Sequence, residues 1–462
     1  MIIQIRSNNP DFLSLVEKNP TSNKGYLFRK MRDGVAVSKI EDNQTLKLVF
    51  IDHGTSFREE GTQLDTLAMA RPRVALALMS EFLSHFFVRA DRYLLHEIPW
   101  LKKSRRQVDS DQFDHQIECD LLVNSTWMRE GKFLLERYLP GLSIINRAGN
   151  CYSIILKHKG ALLYAVSLFT CILLLTEMSN KEDDFYHTDE LSKYIRVFGN
   201  LHDIPYFVVY LFKKQVLRSE KNLEENLKLL EGACSENVKL SPYDTNTARR
   251  QFVRNNIDKT SGTVDFGCGE MNYKRALAKI RKEYGTAYLG IDKEDFHFKL
   301  GDHVMEGFIT GAGSPKNIWQ NISFKEAFLQ LDIEKDLIVE GFIHPDLYSF
   351  ITQSDGMNAL LIEVIEHLSD RGVALQVVRN ILKHPFERLI LSTPNRLFNI
   401  YYQLENKHRR DDHMFELTSN EFVDFCQEVL QTLPQWEVKI EGLGDSVNDQ
   451  HPTMGAIFTR KP

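Results

Sequence analysis

Glu363, Glu366 and His367 stand at i, i+3 and i+4 in the run Leu361-Ile-Glu-Val-Ile-Glu-His367. A helical turn after an apolar strand would bring all three side chains to one point. A second histidine, His413, lies in Asp411-Asp-His-Met-Phe-Glu416 and completes a set of two carboxylates and two imidazoles. That donor set suits Mg²⁺ or Mn²⁺ better than a structural zinc, which favours thiolates and a closed tetrahedron. Such a site keeps coordination positions open for a substrate. Glu-x-x-Glu-His also occurs on solvated helix faces, where charge runs simply meet water, so the segment before it decides between the two readings.

Met357 to Ile365 is a short apolar run and reads as a buried strand that ends where the acids begin. Four further runs have the same character: Gly262–Phe266, Ala287–Asp292, Asp336–Glu340 and Arg388–Thr393. Helix-like stretches separate several of them, including Tyr273 to Tyr284 and Gly372 to Leu382. This alternation predicts an α/β fold with a doubly wound, mostly parallel sheet. Trp436–Ile440 and Gly455–Thr459 predict an antiparallel pair at its end. Ligands of such sheets bind outside the carboxyl ends of the strands, where Glu363 falls.

The first of these strands runs into Asp265-Phe-Gly-Cys-Gly-Glu270. Gly267 and Gly269 allow a tight turn and close backbone approach to a ligand, and Asp292 ends the next strand, the placement of an acid that bonds ribose hydroxyls. Met271 and Asn272 follow Glu270, so no third glycine completes a dinucleotide fingerprint, and no Lys-Ser/Thr pair makes a triphosphate loop. A glycine-plus-acid pocket without a phosphate cradle fits S-adenosylmethionine, a sulfonium cation without phosphates. The competing reading is a structural turn in another α/β enzyme.

Asp265–Glu270, Ile362–His367, Ser392-Thr-Pro-Asn395 with Phe398-Asn399, and Arg410–Thr418 with Glu421-Phe422 together resemble the bacterial HEN-type small-RNA 3′-terminal ribose 2′-O-methyltransferases. The resemblance covers Ser241 to Pro462. It implies a doubly wound, Rossmann-like S-adenosylmethionine-dependent methyltransferase domain over residues 241–462, with Glu363, Glu366, His367 and His413 as ligands of Mg²⁺ or Mn²⁺. It also implies Asp265, Gly267, Gly269 and Asp292 as the S-adenosylmethionine pocket, and a metal that holds both hydroxyls of an RNA terminal ribose. Coordination lowers the pKa of the 2′-hydroxyl, and His367 or His413 accepts its proton. Displacement at the sulfonium methyl then needs mainly proximity and alignment. The requirement for a 2′-hydroxyl separates an RNA 3′ end from DNA. The sequence departs from the family pattern at Met271, where members carry glycine, and at Leu417, where they carry tryptophan; the second change bears on packing behind His413 or on contact with the terminal nucleotide.

The chain's 462 residues exceed one comfortable core, so two or three domains are expected. Hydrophobic content of 43% and charged content of 26% are those of a globular protein in water. Six cysteines without a Cys-x-x-Cys pairing argue against a zinc finger or disulfide framework and for a reducing, cytoplasmic setting. The start, Met1–Arg6, lacks a signal-peptide layout and reads as a strand. A net charge of −6 confines any RNA contact to local patches. The candidates are Lys102–Arg106, Arg249-Arg250 with Arg254, and Lys407–Arg410 beside His413. Gly160 to Thr176 carries no charge, yet it is at the short limit for a bilayer span and reads as a buried helix. No membrane association is expected.

Residues 1–235 contain no nucleotide loop, metal cluster or nucleophile constellation and read as an α+β domain. A linker is expected over Ser219 to Asn246, and Thr188-Asp-Glu190 reads as a capped helix start. Arg71-Pro72 with the apolar helix after it, and Leu162 onward to Asp183, Asp184 and Tyr186, are similar to the N-terminal region of bacterial HEN-type proteins. That resemblance implies docking on, and activation of, the ligase module of a polynucleotide kinase-phosphatase-ligase in RNA repair. Two alternatives stand beside the RNA methyltransferase reading: a non-catalytic activator of such a ligase, and a small-molecule methyltransferase of the same fold, which would leave the four metal ligands without a purpose.

Overall fold

The computed structural model describes residues 1–16, 25–31, 34–52, 70–88, 90–93, 97–98, 103–129, 131–178, 194–216, 223–294, 299–300, 303–304, 318–321, 326–336, 356–402, 404 and 408–461. The chain forms two compact units, Met1–Asn237 and Val238–Pro462. The expected helix start at Thr188–Glu190, the loop around Asp183 to Tyr186, Lys102 and Lys407 lie outside the described residues.

The first unit is α+β. Its strands β1 (Ile2–Ser7), β2 (Tyr26–Met31), β3 (Gly34–Asp42), β4 (Thr45–Asp52), β5 (Asp114–Leu122), β6 (Leu142–Ala148) and β7 (Cys151–Lys159) form one antiparallel sheet in the order β6-β7-β5-β1-β4-β3-β2. Alternation along β1 and β5 turns Ile3, Ile5, Ile117, Cys119 and Leu121 inward. Helices α1 (Pro72–Leu83) and α2 (Leu162–Met178) belong to the same unit. The uncharged run read as a buried helix is α2, buried throughout except at Tyr164 and Met178. Its first turn is capped from a distance: Leu162 N and Leu163 N donate to the Asp109 carboxylate at 2.6 and 3.0 Å. Among the described residues no helix is long and apolar enough to cross a membrane. The expected linker is more ordered than a tether, because it contains α3 (Leu223–Ala233) and the start of α4 (Thr245–Asn256).

The second unit is the α/β part. Its strands are β8 (Gly262–Phe266), β9 (Tyr288–Asp292), β10 (Ile318–Asn321), β11 (Glu326–Gln330), β12 (Met357–Ile362), β13 (Arg388–Pro394), β14 (Trp436–Leu443) and β15 (Thr453–Arg460), ordered β10-β11-β9-β8-β12-β13-β15-β14. The five from β11 to β13 are parallel, and β15 and β14 add an antiparallel end. Both faces are covered. Leu360, Ile362 and Ile390 pack with Phe252 and Val253 of α4 and Leu277 of α5 (Asn272–Tyr284). The alternating partners Ala359, Leu361, Leu389 and Leu391 pack with α6 (Arg371–Leu382) and α7 (Ser419–Leu430). Period-two alternation of apolar residues on both faces is what a doubly wound sheet demands.

One expected strand, Asp336–Glu340, falls outside the described residues except at its first residue. Asp336 closes the short helix Ile333–Asp336. The strand beside β9 is β11, Glu-Ala-Phe-Leu-Gln, which carries charge and amide at its ends rather than a continuous apolar run.

Candidate active site

Strand β12 is buried at every position and delivers Glu363 at its carboxyl end. There the chain turns sharply, with Glu363 at φ +56, a left-handed conformation that costs a residue bearing a Cβ about 1 kcal/mol or more. The strain is held from β13: Glu363 N donates to Ser392 O at 2.9 Å and Ser392 Oγ donates to Glu363 Oε1 at 3.0 Å. The chain then makes a single 3₁₀ turn, Ile365–His367. The turn is tight enough to place Glu366 and His367 side by side without a longer helix.

Glu366 is fully buried. Its Oε2 accepts from Thr393 Oγ1 at 3.0 Å, while Oε1 has no hydrogen-bond partner. Burial, and then the charge of Glu363, push this carboxyl well above the usual carboxylate range. An ionised, partnerless carboxylate oxygen in such a place is costly unless a cation meets it. One is expected there from the neighbours. Donor atoms of Glu366, His367 and His413 all lie within 4.8 Å of one another, and the two imidazole rings stand 4.8 Å apart at 87°.

Each imidazole is oriented from behind. His413 Nδ1 lies 2.6 Å from Glu416 Oε1, so it donates there and leaves Nε2 free to ligate. Burial works to raise the Glu416 carboxyl, but hydrogen bonds from His413, Arg409 N and Asn399 more than offset it and hold it below the ordinary range. His367, at the open edge of the cluster, places Nδ1 3.1 Å from Asp412 O. The His413 loop is tied to the Glu366 turn by Met414 N, which donates to Glu366 O at 2.8 Å.

Glu363 stands outside this cluster of three. Its Oε2 is 2.6 Å from Arg249 NH1 of α4. Arg249, a candidate RNA contact from sequence, is therefore occupied with a proposed metal ligand. Among the other basic candidates, Arg409 donates through its backbone N to Glu416 Oε1 at 2.6 Å, whereas Arg410 is exposed.

The glycine loop lies on the neighbouring strand, β8. Gly267 and Gly269 have φ +69 and +49. Gly267 N and Cys268 N donate to Ile291 O of β9 at 2.8 and 3.0 Å, and Gly269 N donates to Asp292 Oδ2 at 2.9 Å. Asp292 thus fixes the loop with one oxygen, while its Oδ1 accepts from Glu294 N at 3.1 Å. Asp265 is buried, accepts a short hydrogen bond from Tyr288 Oη, and is pushed up to about 7, chiefly by burial. Met271, where the resembling family has glycine, sits at φ +53, the region glycine favours; its side chain is buried with Cys268, Tyr288 and Phe328. Leu417, in place of the tryptophan, is buried in the larger core cluster.

Arg249, Thr393 and Tyr288 touch site residues without having been singled out for it. Thr393 had a signal, a hydroxyl at the carboxyl end of a buried strand. Tyr288 and Arg249 had none, because each acts on a residue of another element, Asp265 of the adjacent strand and Glu363 far along the chain.

The chain is similar to known proteins. Residues 2–234 match the Hen1 N-terminal domain family. A small RNA 2′-O-methyltransferase of Drosophila melanogaster is 25% identical over 217 residues, 44% of this chain and 50% of that protein. A small RNA 2′-O-methyltransferase of Caenorhabditis elegans is 25% identical over 201 residues, 41% of this chain and 42% of that one. The chain thus spans about half the length of the curated relatives it matches. A chain in the structure of the Pnkp1/Rnl/Hen1 RNA repair complex is similar over 100% of both chains, with a TM-score of 0.78 and 28% identity.

Proposed function

The chain belongs to the Hen1 family, and on that premise we propose that residues 238–462 transfer the methyl group of S-adenosylmethionine to the 2′-hydroxyl of the 3′-terminal ribose of an RNA. The observation that carries this reading is the convergence of Glu366, His367 and His413 at the carboxyl ends of the parallel strands, next to the glycine loop. The names of the curated relatives support the same reaction.

The donor set fits Mg²⁺ or Mn²⁺: a buried carboxylate oxygen without a partner and two imidazoles with Nε2 available, none of them a thiolate. Glu366, His367 and His413 would hold the ion, with Glu363 as a fourth ligand once Arg249 releases it. Bound there, a divalent cation supplies the Lewis acidity that lowers the pKa of a ribose hydroxyl. The remaining work belongs to the chain. Glu416 keeps His413 in one tautomer. His367, less buried, is held through Nδ1 so that Nε2 is its ligating atom; with that lone pair engaged the ring does not also take the hydroxyl proton, which leaves to solvent. Gly267 and Gly269 admit the donor close to the backbone, and Asp265 and Asp292 line that pocket. Labelled methyl should pass from S-adenosylmethionine to an RNA with a 2′,3′-hydroxyl end and not to the same RNA with a 2′-deoxy end. Equal labelling of both would refute terminal 2′-O-methylation.

A second reading concerns residues 1–237, for which we propose docking on a kinase-phosphatase-ligase of RNA repair. The whole-length similarity to a chain of the Pnkp1/Rnl/Hen1 complex favours it. Addition of the full chain to such a ligase should speed sealing of nicked RNA; an unchanged sealing rate would count against the partnership.

A further inference from the structure

A cleft of about 580 Å³, a ligand-sized volume, opens in the N-terminal unit at the end of the sheet where β1 and β7 finish and β4 and β5 begin. Strand pairing sets its chemistry. Lys157 is opposite Gln116, Gln116 opposite Arg6, and Arg6 opposite Thr45, so these four side chains form one row across β7, β5, β1 and β4. Lys159 lies two residues beyond Lys157 on the same face. Among the described residues Arg6, Lys157 and Lys159 form no ion pair. The acid at this end, Asp114, is held by Asn8 Nδ2 at 3.0 Å.

A ring reaches the same cleft at the strand end from the other face of β7, because His158 alternates with Lys157 and Lys159. His158, which lines it, stacks on Tyr164 with centroids 4.7 Å apart at 20°, and Tyr164 lies 4.8 Å from His202. Gly160 permits this placement, because a Cβ there would come within 2.4 Å of His158 Nε2. Burial and the adjacent His202 hold His158 below its ordinary range, which leaves the ring neutral at pH 7. Unpaired cations with amide donors would suit any polyanion. Partly exposed stacked rings add a surface for flat bases, which an acidic peptide does not supply.

From these features we infer that the N-terminal unit carries a binding site for a single-stranded RNA segment, with phosphates on Arg6, Lys157 and Lys159 and bases on the His158, Tyr164 and His202 rings. The site reads backbone and base faces, needs no RNA end, and does not depend on methyl transfer.

The test uses the full chain and a fluorescent circular single-stranded RNA, which lacks the 3′ end required by the C-terminal site. Fluorescence anisotropy across a salt series should show the triple variant Arg6→Gln/Lys157→Gln/Lys159→Gln losing affinity at least tenfold. Its slope of log affinity against log salt should fall by roughly 2, the value for about three lost phosphate contacts on a single strand. Tyr164→Leu should weaken binding roughly fivefold to a hundredfold with the salt slope unchanged, and Tyr164→Phe, which keeps the ring, should restore it. Unchanged affinity and slope in the triple variant would overturn the inference. So would loss of poly-glutamate binding in that variant with circular RNA binding intact, which would assign the cleft to an acidic protein.

Discussion

Gly267 packs directly on Val364: a Cβ at position 267 would lie 2.6 Å from Val364 Cγ2. The glycine loop after β8 and the Glu363–His367 turn after β12 are thus one packed surface, and the missing side chain at 267 lets them meet. A donor in the first and a hydroxyl held at the second would be neighbours by construction, which is the proximity a one-step methyl displacement needs.

Gly267→Ala should weaken S-adenosylmethionine and Mn²⁺ together, each by about tenfold or more, because the added methyl meets Val364 and sits at positive φ. Gly269→Ala, with nothing within 4 Å of its new Cβ, should weaken the donor alone. Calorimetric titration of both ligands into both variants checks this, and unaltered Mn²⁺ affinity in Gly267→Ala would show that the two loops are not coupled.

Arg249 places a positive charge 2.6 Å from Glu363 Oε2, so it would compete with a metal proposed to use that carboxylate. Arg249→Gln should raise Mn²⁺ affinity by about tenfold, on the order of 1.4 kcal/mol, well below the full Coulomb energy of a partly shielded pair. A fall in Mn²⁺ affinity would make Arg249 a support for Glu363 rather than a competitor.

Glu416→Gln keeps the shape behind His413 but removes the carboxylate that fixes its tautomer. Cation affinity should fall ten- to a hundredfold, the usual consequence of losing such a partner. Electron paramagnetic resonance of Mn²⁺ measures it. Unaltered affinity would remove His413 from the ligand set.

The Asp265 carboxyl gives a pH dependence. Its folded value of about 7 stands above the ordinary 3.8, so between about pH 4 and 7 the folded chain binds more protons here than the unfolded one. Its contribution to stability is therefore present at pH 4 and lost as pH rises to 7, by roughly 4 kcal/mol at most. In donor-free protein, Asp265→Asn should gain stability relative to wild type across this interval, as followed by denaturant unfolding. A constant difference from pH 4 to 7 would show that the group is ionised throughout.

The parallel strands were legible because they are buried on both faces and read as apolar runs; Met357–Ile362 and Arg388–Pro394 are the clearest. Strand β11, Glu326–Gln330, was not, since its polar ends break that signal. The i, i+3, i+4 spacing pointed to a convergence of Glu363, Glu366 and His367, whereas the 3₁₀ turn groups Glu366 and His367 with His413 and leaves Glu363 outside. It gave no sign that Glu363 would be left-handed, because that conformation is imposed by Ser392 on another strand. For the same reason the Arg249–Glu363 pair, spanning more than a hundred residues, was invisible to local pattern. Asp265 and Asp292 were placed by their strands, yet the raised pKa of Asp265 depends on burial that only the packed sheet creates.

Periodate cleaves a terminal ribose that carries both free hydroxyls and spares one methylated at the 2′-oxygen. The most direct measurement is therefore the periodate resistance of an RNA 3′ end after incubation with the full chain, S-adenosylmethionine and Mn²⁺, with Glu366→Ala and chelator-treated protein alongside. The account predicts a resistant end with the wild-type chain and a cleaved end in both controls. An end that stays cleavable with wild type, or becomes resistant with Glu366→Ala, would contradict it.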